Sequence, residues 1–178
     1  MAVKPATIAL AYCAGLIDGE GCISIGKKPR VTHNNLGNNQ NPKGKIERKD
    51  TYTLDYKLNI IVVQKDKILC DWLRGNFGGS IGMVYRNRSD GQIDEYFRWC
   101  LGTNPSTALL KKLKPYLILK KAQAIVAIEF GKHYHRTLGK WKTKENLKKR
   151  EEYYQKLRQL KREFAVATTK PNPDLKEI

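Results

Sequence analysis

Two carboxylates, Asp18 and Glu20, stand one residue apart near the end of the run AYCAGLIDGEG, and they are the only acids before Glu47 in a chain of 178 residues. Ile8, Leu10, Leu16 and Ile17 lead up to them at spacings that let an amphipathic helix pack inward. Gly19 and Gly21 then supply a helix stop and a tight exit around Glu20. The acids therefore fall at the negative end of a helix dipole, where an anion is disfavoured. A hard divalent cation relieves that conflict, and Mg2+ takes the oxygen ligands on offer: the Glu20 carboxylate and backbone carbonyls beside it, that of Gly19 among them. The competing reading of Glu20 is a solvated acid at a helix end.

Ala11, Ala14 and Gly15, three and four residues apart, leave a stripe of this first helix nearly free of side chains, which a second helix could approach closely. Residues 22–28 alternate as a half-buried strand with Ile23 and Ile25 on one face. Residues 29–50 (HNNLGNNQNPKGK at the centre) read as a long exposed loop. Its Asn34, Asn35, Asn38, Asn39 and Gln40 are types that bond base edges, and the alternative is a merely solvated segment. Residues 51–63 alternate again, with Leu54, Tyr56, Leu58, Ile60 and Val62 inward. A helix over 66–76 follows, expected to bury Ile68, Leu69, Trp72 and Leu73. Strands over 80–88 and 95–101 flank the turn SDGQ. Thr103 or Asn104 caps a short helix containing Pro105, which Pro115 interrupts. Residues 117–134 and 143–165 read as further helices, the last with a stripe of Tyr153, Leu157, Leu160 and Phe164. Helix, two strands, helix, two strands, helices is an α+β order. The length predicts one domain over residues 1–178, with a core of about 6–134, a helical extension of about 135–168 and a loose tail at 169–178.

The 34 Lys and Arg against 17 Asp and Glu give a formal charge of +17, which points to a polyanionic partner. Nucleic acid is the first choice and an anionic membrane surface the rival, although no segment has the length of a spanning helix. Cys13, Cys22, Cys70 and Cys100 show neither CxxC pairing nor zinc spacing, and so read as free thiols in a reducing compartment. His133 and His135, two apart on a helix, face different ways and suit a surface role better than a metal site. The apolar run after Lys4 leads into a glycine-acid turn, so a signal peptide is not expected.

Cys13-Ala14-Gly15-Leu16-Ile17-Asp18-Gly19-Glu20-Gly21 resembles the nine-residue signature of the LAGLIDADG homing endonucleases. It departs from that signature at Cys13, Gly19 and Glu20, the last two being mild changes. The resemblance implies an αββαββα fold whose curved four-stranded antiparallel sheet grips DNA, with additional C-terminal helices. It implies a homodimer that pairs its two motif helices and cuts both strands of a long, near-palindromic duplex, with Mg2+ (Mn2+ may substitute) held between two Glu20 side chains and at Gly19. By the same resemblance Gln64 orders the water around the metal, and Lys120, with Lys121 as competitor, lies near the active site. Lys67 is the nearest counterpart of a further basic group. Asp18 is expected to be structural.

The polar face of the strands offers Ser24, Lys28 and Arg30, then Lys57 and Asn59, then Arg86, Arg88 and Arg98. Arginine and asparagine on a twisted ribbon suit guanine and adenine in a major groove, although many such groups meet only phosphate. A second class of function shares the charge and the sheet: a non-cleaving nucleic-acid-binding module, such as an intron-splicing maturase or a regulator. A basic ribosome-associated protein would explain the charge and not the motif.

Overall fold

The computed structural model describes residues 5–36, 47–134 and 143–169. The elements run α1 (Pro5–Gly19), β1 (Gly21–Leu36), β2 (Glu47–Gln64), α2 (Lys67–Phe77), β3 (Ser80–Asn87), β4 (Ile93–Leu101), α3 (Thr103–Leu113), α4 (Lys121–His133) and α5 (Lys144–Thr169). The four strands form one antiparallel sheet in the order β1-β2-β4-β3, which is the α+β arrangement predicted. Period-two alternation sends Ile23, Ile25, Tyr56, Leu58, Ile60, Val62, Trp99 and Leu101 to one buried face beneath the helices. The opposite face is left polar, with a few apolar side chains between.

Leu110, Leu113, Leu117, Ala124, Ala127 and Phe130 from the α3–α4 region, with Cys13, Ala14 and Ile17 from α1, complete the core. Leu157 of α5 belongs to the same cluster. At the α3–α4 crossing a Cβ on Gly131 would lie 2.0 Å from the Thr107 hydroxyl, so glycine is what lets the two helices meet. Burial pushes the Cys13 thiol up to about 12, which makes it a packing group and not a reactive one.

β4 pairs with β2 only from Ile60 to Gln64, so the backbone of β2 before Ile60 lacks a strand on that side. Side chains of α3 take over. Leu58 N donates to Thr103 Oγ1 at 3.1 Å and Ile60 N to Ser106 Oγ at 3.2 Å. In return the Thr103 hydroxyl donates to Leu58 O and the Ser106 hydroxyl to Leu101 O. Thr103 thus joins helix to sheet and does not cap α3; the N-cap is Gly102, with no side-chain cap bond. By contrast Asp66, which the sequence reading placed inside the helix, caps α2 and accepts from Ile68 N at 2.8 Å.

Several sequence expectations are corrected. Residues 29–36 and 47–50 continue β1 and β2 in unbroken register, Asn34 opposite Lys49 and Asn35 opposite Arg48, where a loop was expected. Antiparallel pairing satisfies the backbone there without an apolar pattern, so the composition gave no strand signal. Asn38, Asn39 and Gln40 lie outside the described residues. Ile8, at 58% exposure, and Ile68, at 75%, are not buried, and Leu54 is only partly covered. Cys70 takes the core position on α2 instead. Ala14 faces the core and not a free stripe. None of the described helices is long and apolar enough to cross a membrane.

Candidate active site and nucleic-acid interface

At the C-terminal end of α1 two elements cap each other. The Asp18 carboxylate accepts from three successive backbone amides, Ile118 N at 2.7 Å, Leu119 N at 3.2 Å and Lys120 N at 2.9 Å, immediately before α4. Asp18 therefore sits at the positive end of one helix while ending another, which resolves the electrostatic conflict that the sequence raised for it. Lys120 completes the exchange: its buried ammonium donates to Ile17 O at 2.8 Å and Asp18 O at 2.7 Å, carbonyls that α1 leaves open. Burial lowers the Lys120 pKa, and the charges of Asp18 and Glu20 oppose that shift.

Gly21 makes this junction tight. A Cβ there would lie 2.6 Å from the Ile17 Cα, so the chain can turn from α1 into β1 only with glycine. Gly19 does not stop α1 in the left-handed region; among the described glycines only Gly78, Gly79 and Gly91 have positive φ. Glu20 N closes the last turn onto Leu16 O at 2.9 Å, and the Glu20 side chain emerges exposed.

It emerges into a groove of about 410 Å³ lined by Glu20, Cys22, Ile61, Val63, Gln64, Lys65, Arg86 and Tyr96. The structure thus brings Glu20 and Gln64 together, because β1 begins where α1 ends and Gln64 ends the neighbouring strand β2. Arg86 reaches the same groove from β3, its guanidinium 4.8 Å above the Tyr96 ring. Lys65, which the sequence reading passed over, lies there too and shares Asp94 at 3.3 Å. Its signal was its place next to Gln64. Lys120 does not line the groove, and Lys67 is paired along α2 with Asp71 at 2.8 Å, away from the groove-lining residues.

The remaining polar-face residues fall where alternation placed them. Ser24 stands opposite Asn59 across the β1–β2 ladder, and Lys28 opposite Asp55. Lys57 is exposed with Asp55 at 3.5 Å, while Asn59 donates to Lys57 O at 3.3 Å. Arg30 is exposed on β1. Arg98 shares this face, since its neighbour Trp99 is fully buried. Arg88 is a correction: it lies in the β3–β4 turn and not on the sheet, bound to Asp90 at 3.4 Å.

Among the described residues no three His, Cys, Asp or Glu cluster as a metal site. What the groove offers a cation is one hard carboxylate, Glu20; Gly19, the last residue of α1, directly precedes it in the chain. That donor set fits Mg2+ by type. One carboxylate leaves most of a hard cation's coordination to other oxygen ligands.

No protein-family model and no curated protein matches the chain. Solved structures do. A crystal structure of the homing endonuclease I-CvuI in complex with its target in the presence of Ca matches with a TM-score of 0.58 and 21% identity, covering 87% of this chain and 83% of that one. I-CvuI in complex with the I-CreI target in the presence of Mg, with the DNA not cleaved, matches at 0.56 and 20%, with the same coverage. The archaeal intron-encoded homing endonuclease I-Vdi141I complexed with DNA matches at 0.56 and 18%, covering 86% and 84%. The chain therefore has the fold of homing endonucleases, the fold that its resemblance over residues 13–21 implied.

Proposed function

We propose that this chain is a site-specific DNA endonuclease of the homing type, acting as a homodimer that cuts both strands of a long, near-palindromic duplex with Mg2+, for which Mn2+ may substitute. The observation that carries the reading is the groove in which Glu20 meets Gln64, Lys65 and Arg86 at the end of a polar, positively charged sheet face. A binding module has no use for an exposed carboxylate aimed among phosphate-binding cations, where it would repel the ligand. Glu20 and the Gly19 carbonyl would hold the metal, which when bound polarises a phosphate oxygen and lowers the pKa of a water. The Gln64 amide can orient that water through hydrogen bonds. Lys65 and Arg86 offset negative charge that builds on the phosphate. Lys28, Arg30, Lys57 and Arg98 hold the backbone of the duplex, while Ser24 and Asn59 can reach base edges.

The dimer rests on α1. Ile8, Ala11, Tyr12, Gly15 and Gly19 are all exposed at three- and four-residue spacing. A Cβ on Gly15 would meet nothing within 4 Å in the single chain. Large exposed apolar side chains flank this stripe, Ile68 on one side and Ile118, at 83% exposure, beyond its C-terminal end. A second copy crossing here would cover them and set two Glu20 residues near one axis.

The test is Glu20→Gln. Incubating the chain with a randomised duplex library in Mg2+ and sequencing the cut ends supplies the site. On that site Glu20→Gln should abolish cleavage while gel-shift affinity is kept or improved, because a repulsive charge facing phosphate is removed. A Glu20→Gln protein that cuts normally, or wild-type cleavage that persists in EDTA, would leave the motif as a packing device and favour the non-cleaving module.

A further inference from the structure

We propose that Lys161, from the last helix, is a further cation of the cleavage site, placed beside Glu20 to hold the phosphate at which the strand is cut. This rests on the endonuclease reading above and adds to it a residue that neither the motif nor the strand pattern indicated.

Lys161 Nζ donates to Cys22 Sγ at 3.0 Å. Cys22 lies two residues from Glu20 and lines the same groove, so α5 delivers an ammonium to the groove wall from 139 residues away in sequence. A thiol is a weak acceptor for an ammonium group, and among the described residues no carboxylate pairs with Lys161. The position is built all the same: Leu157 is buried in the core and Leu160 packs against it, which fixes the helix face that carries the lysine. Ten residues earlier Glu151 grips β1 through Lys27 at 2.9 Å, so α5 is held against the first strand at both ends of this span.

The cation that the resemblance assigns to this place is already committed. Lys120 is buried, and its ammonium serves the Ile17 and Asp18 carbonyls. Lys161 is close enough for its charge to disfavour the charged form of Lys120. Two ammonium groups thus converge where Asp18 is taken up by backbone amides and Glu20 is left exposed. With a divalent cation at Glu20, this end of α1 would carry net positive charge, which an anion brought there would offset. In the proposed reaction that anion is the scissile phosphate, and Lys161, weakly held by sulfur, can turn to it without breaking a strong bond.

The experiment is single-turnover cleavage at saturating DNA beside a binding titration. Lys161→Met keeps the apolar stem and should lower the rate roughly 100-fold with affinity within about threefold of wild type. Lys161→Arg should recover most of the rate. Lys156→Met, an exposed lysine on the same helix, should behave as wild type. If Lys161 only packed α5, Lys161→Met would lower thermal stability and weaken binding and cleavage together, which overturns the proposal. If Lys161→Met cuts at the wild-type rate while Glu20→Gln does not cut, this proposal fails and the endonuclease reading stands. If Glu20→Gln cuts normally, or the wild type binds and never cuts, both fall.

Discussion

A single pair of buried side chains, Asp18 and Lys120, joins the end of α1 to the start of α4. Asp18 was legible as structural because an acid at a helix C-terminus needs donors, but nothing local said that those donors are the amides before α4. Lys120 was found through the resemblance and placed near the chemistry; the structure shows its ammonium spent on α1 carbonyls. Removing either partner leaves buried polar groups unpaired. Asp18→Asn, which puts an amide donor against backbone N–H groups, should destabilise the fold by about 2–3 kcal/mol, and Lys120→Met by about 1–3 kcal/mol. Urea unfolding measures both, and an unchanged midpoint for both would mean that the exchange of caps contributes nothing. Glu20 and Gln64 were also visible in the sequence, one from its misfit with the dipole and one by analogy. Lys65 and Tyr96 were not singled out, because apart from the place of Lys65 next to Gln64, one lysine or tyrosine among many carries no pattern.

At the level of elements, alternation located the two αββ repeats well. They failed where pairing and not burial makes the structure: the outer halves of β1 and β2 are strands despite a polar, asparagine-rich composition. α5 was predicted as a helix with one apolar stripe, and its attachment to the sheet through polar groups had no local signal. Glu151 accepts from Tyr56 and from Gln155 Nε2 at 2.7 Å and pairs with Lys27. Burial alone would raise the Glu151 pKa, but the bonds from Lys27, Tyr56 and Gln155 outweigh it and bring the carboxyl from the usual 4.5 to about 2. Between those values the unfolded chain binds more protons than the folded one, so stability from this group is complete above pH 4.5 and lost as pH falls toward 2. Glu151→Gln should therefore be less stable than wild type by roughly 1–3 kcal/mol at neutral pH, with the gap closing in acid. Thermal melts at stepped pH test this; a gap that stays constant down to pH 2 would exclude the charge as its origin.

For the whole molecule, the high positive charge is spread over both layers and is not confined to the sheet. The strands carry eight Lys and Arg against five acids, whereas α3, α4 and α5 carry twelve against five. The helical layer thus contributes more to long-range attraction of a polyanion than to the surface proposed to read it. Assembly is the other property at this scale. The proposed dimer should sediment at about twice 20.4 kDa. Gly15→Leu, on a stripe that is open in the single chain, should shift it to monomer and abolish double-strand cleavage. A monomer that still cuts both strands would sink the dimer.

The reciprocal caps at the end of α1 also set an order of events in the life of each molecule. β1 and β2 are consecutive antiparallel strands, so their pairing begins among residues close in sequence and reaches the groove at Gly21 opposite Val62. Asp18 instead waits for residues about a hundred positions later, and Cys22 for one 139 positions later. On the ribosome, a nascent chain would expose its motif early but complete its cutting edge only after most of the polypeptide had been made. If the chain cuts DNA as proposed, fragments that end before residue 118 would carry the motif without the amides that hold Asp18.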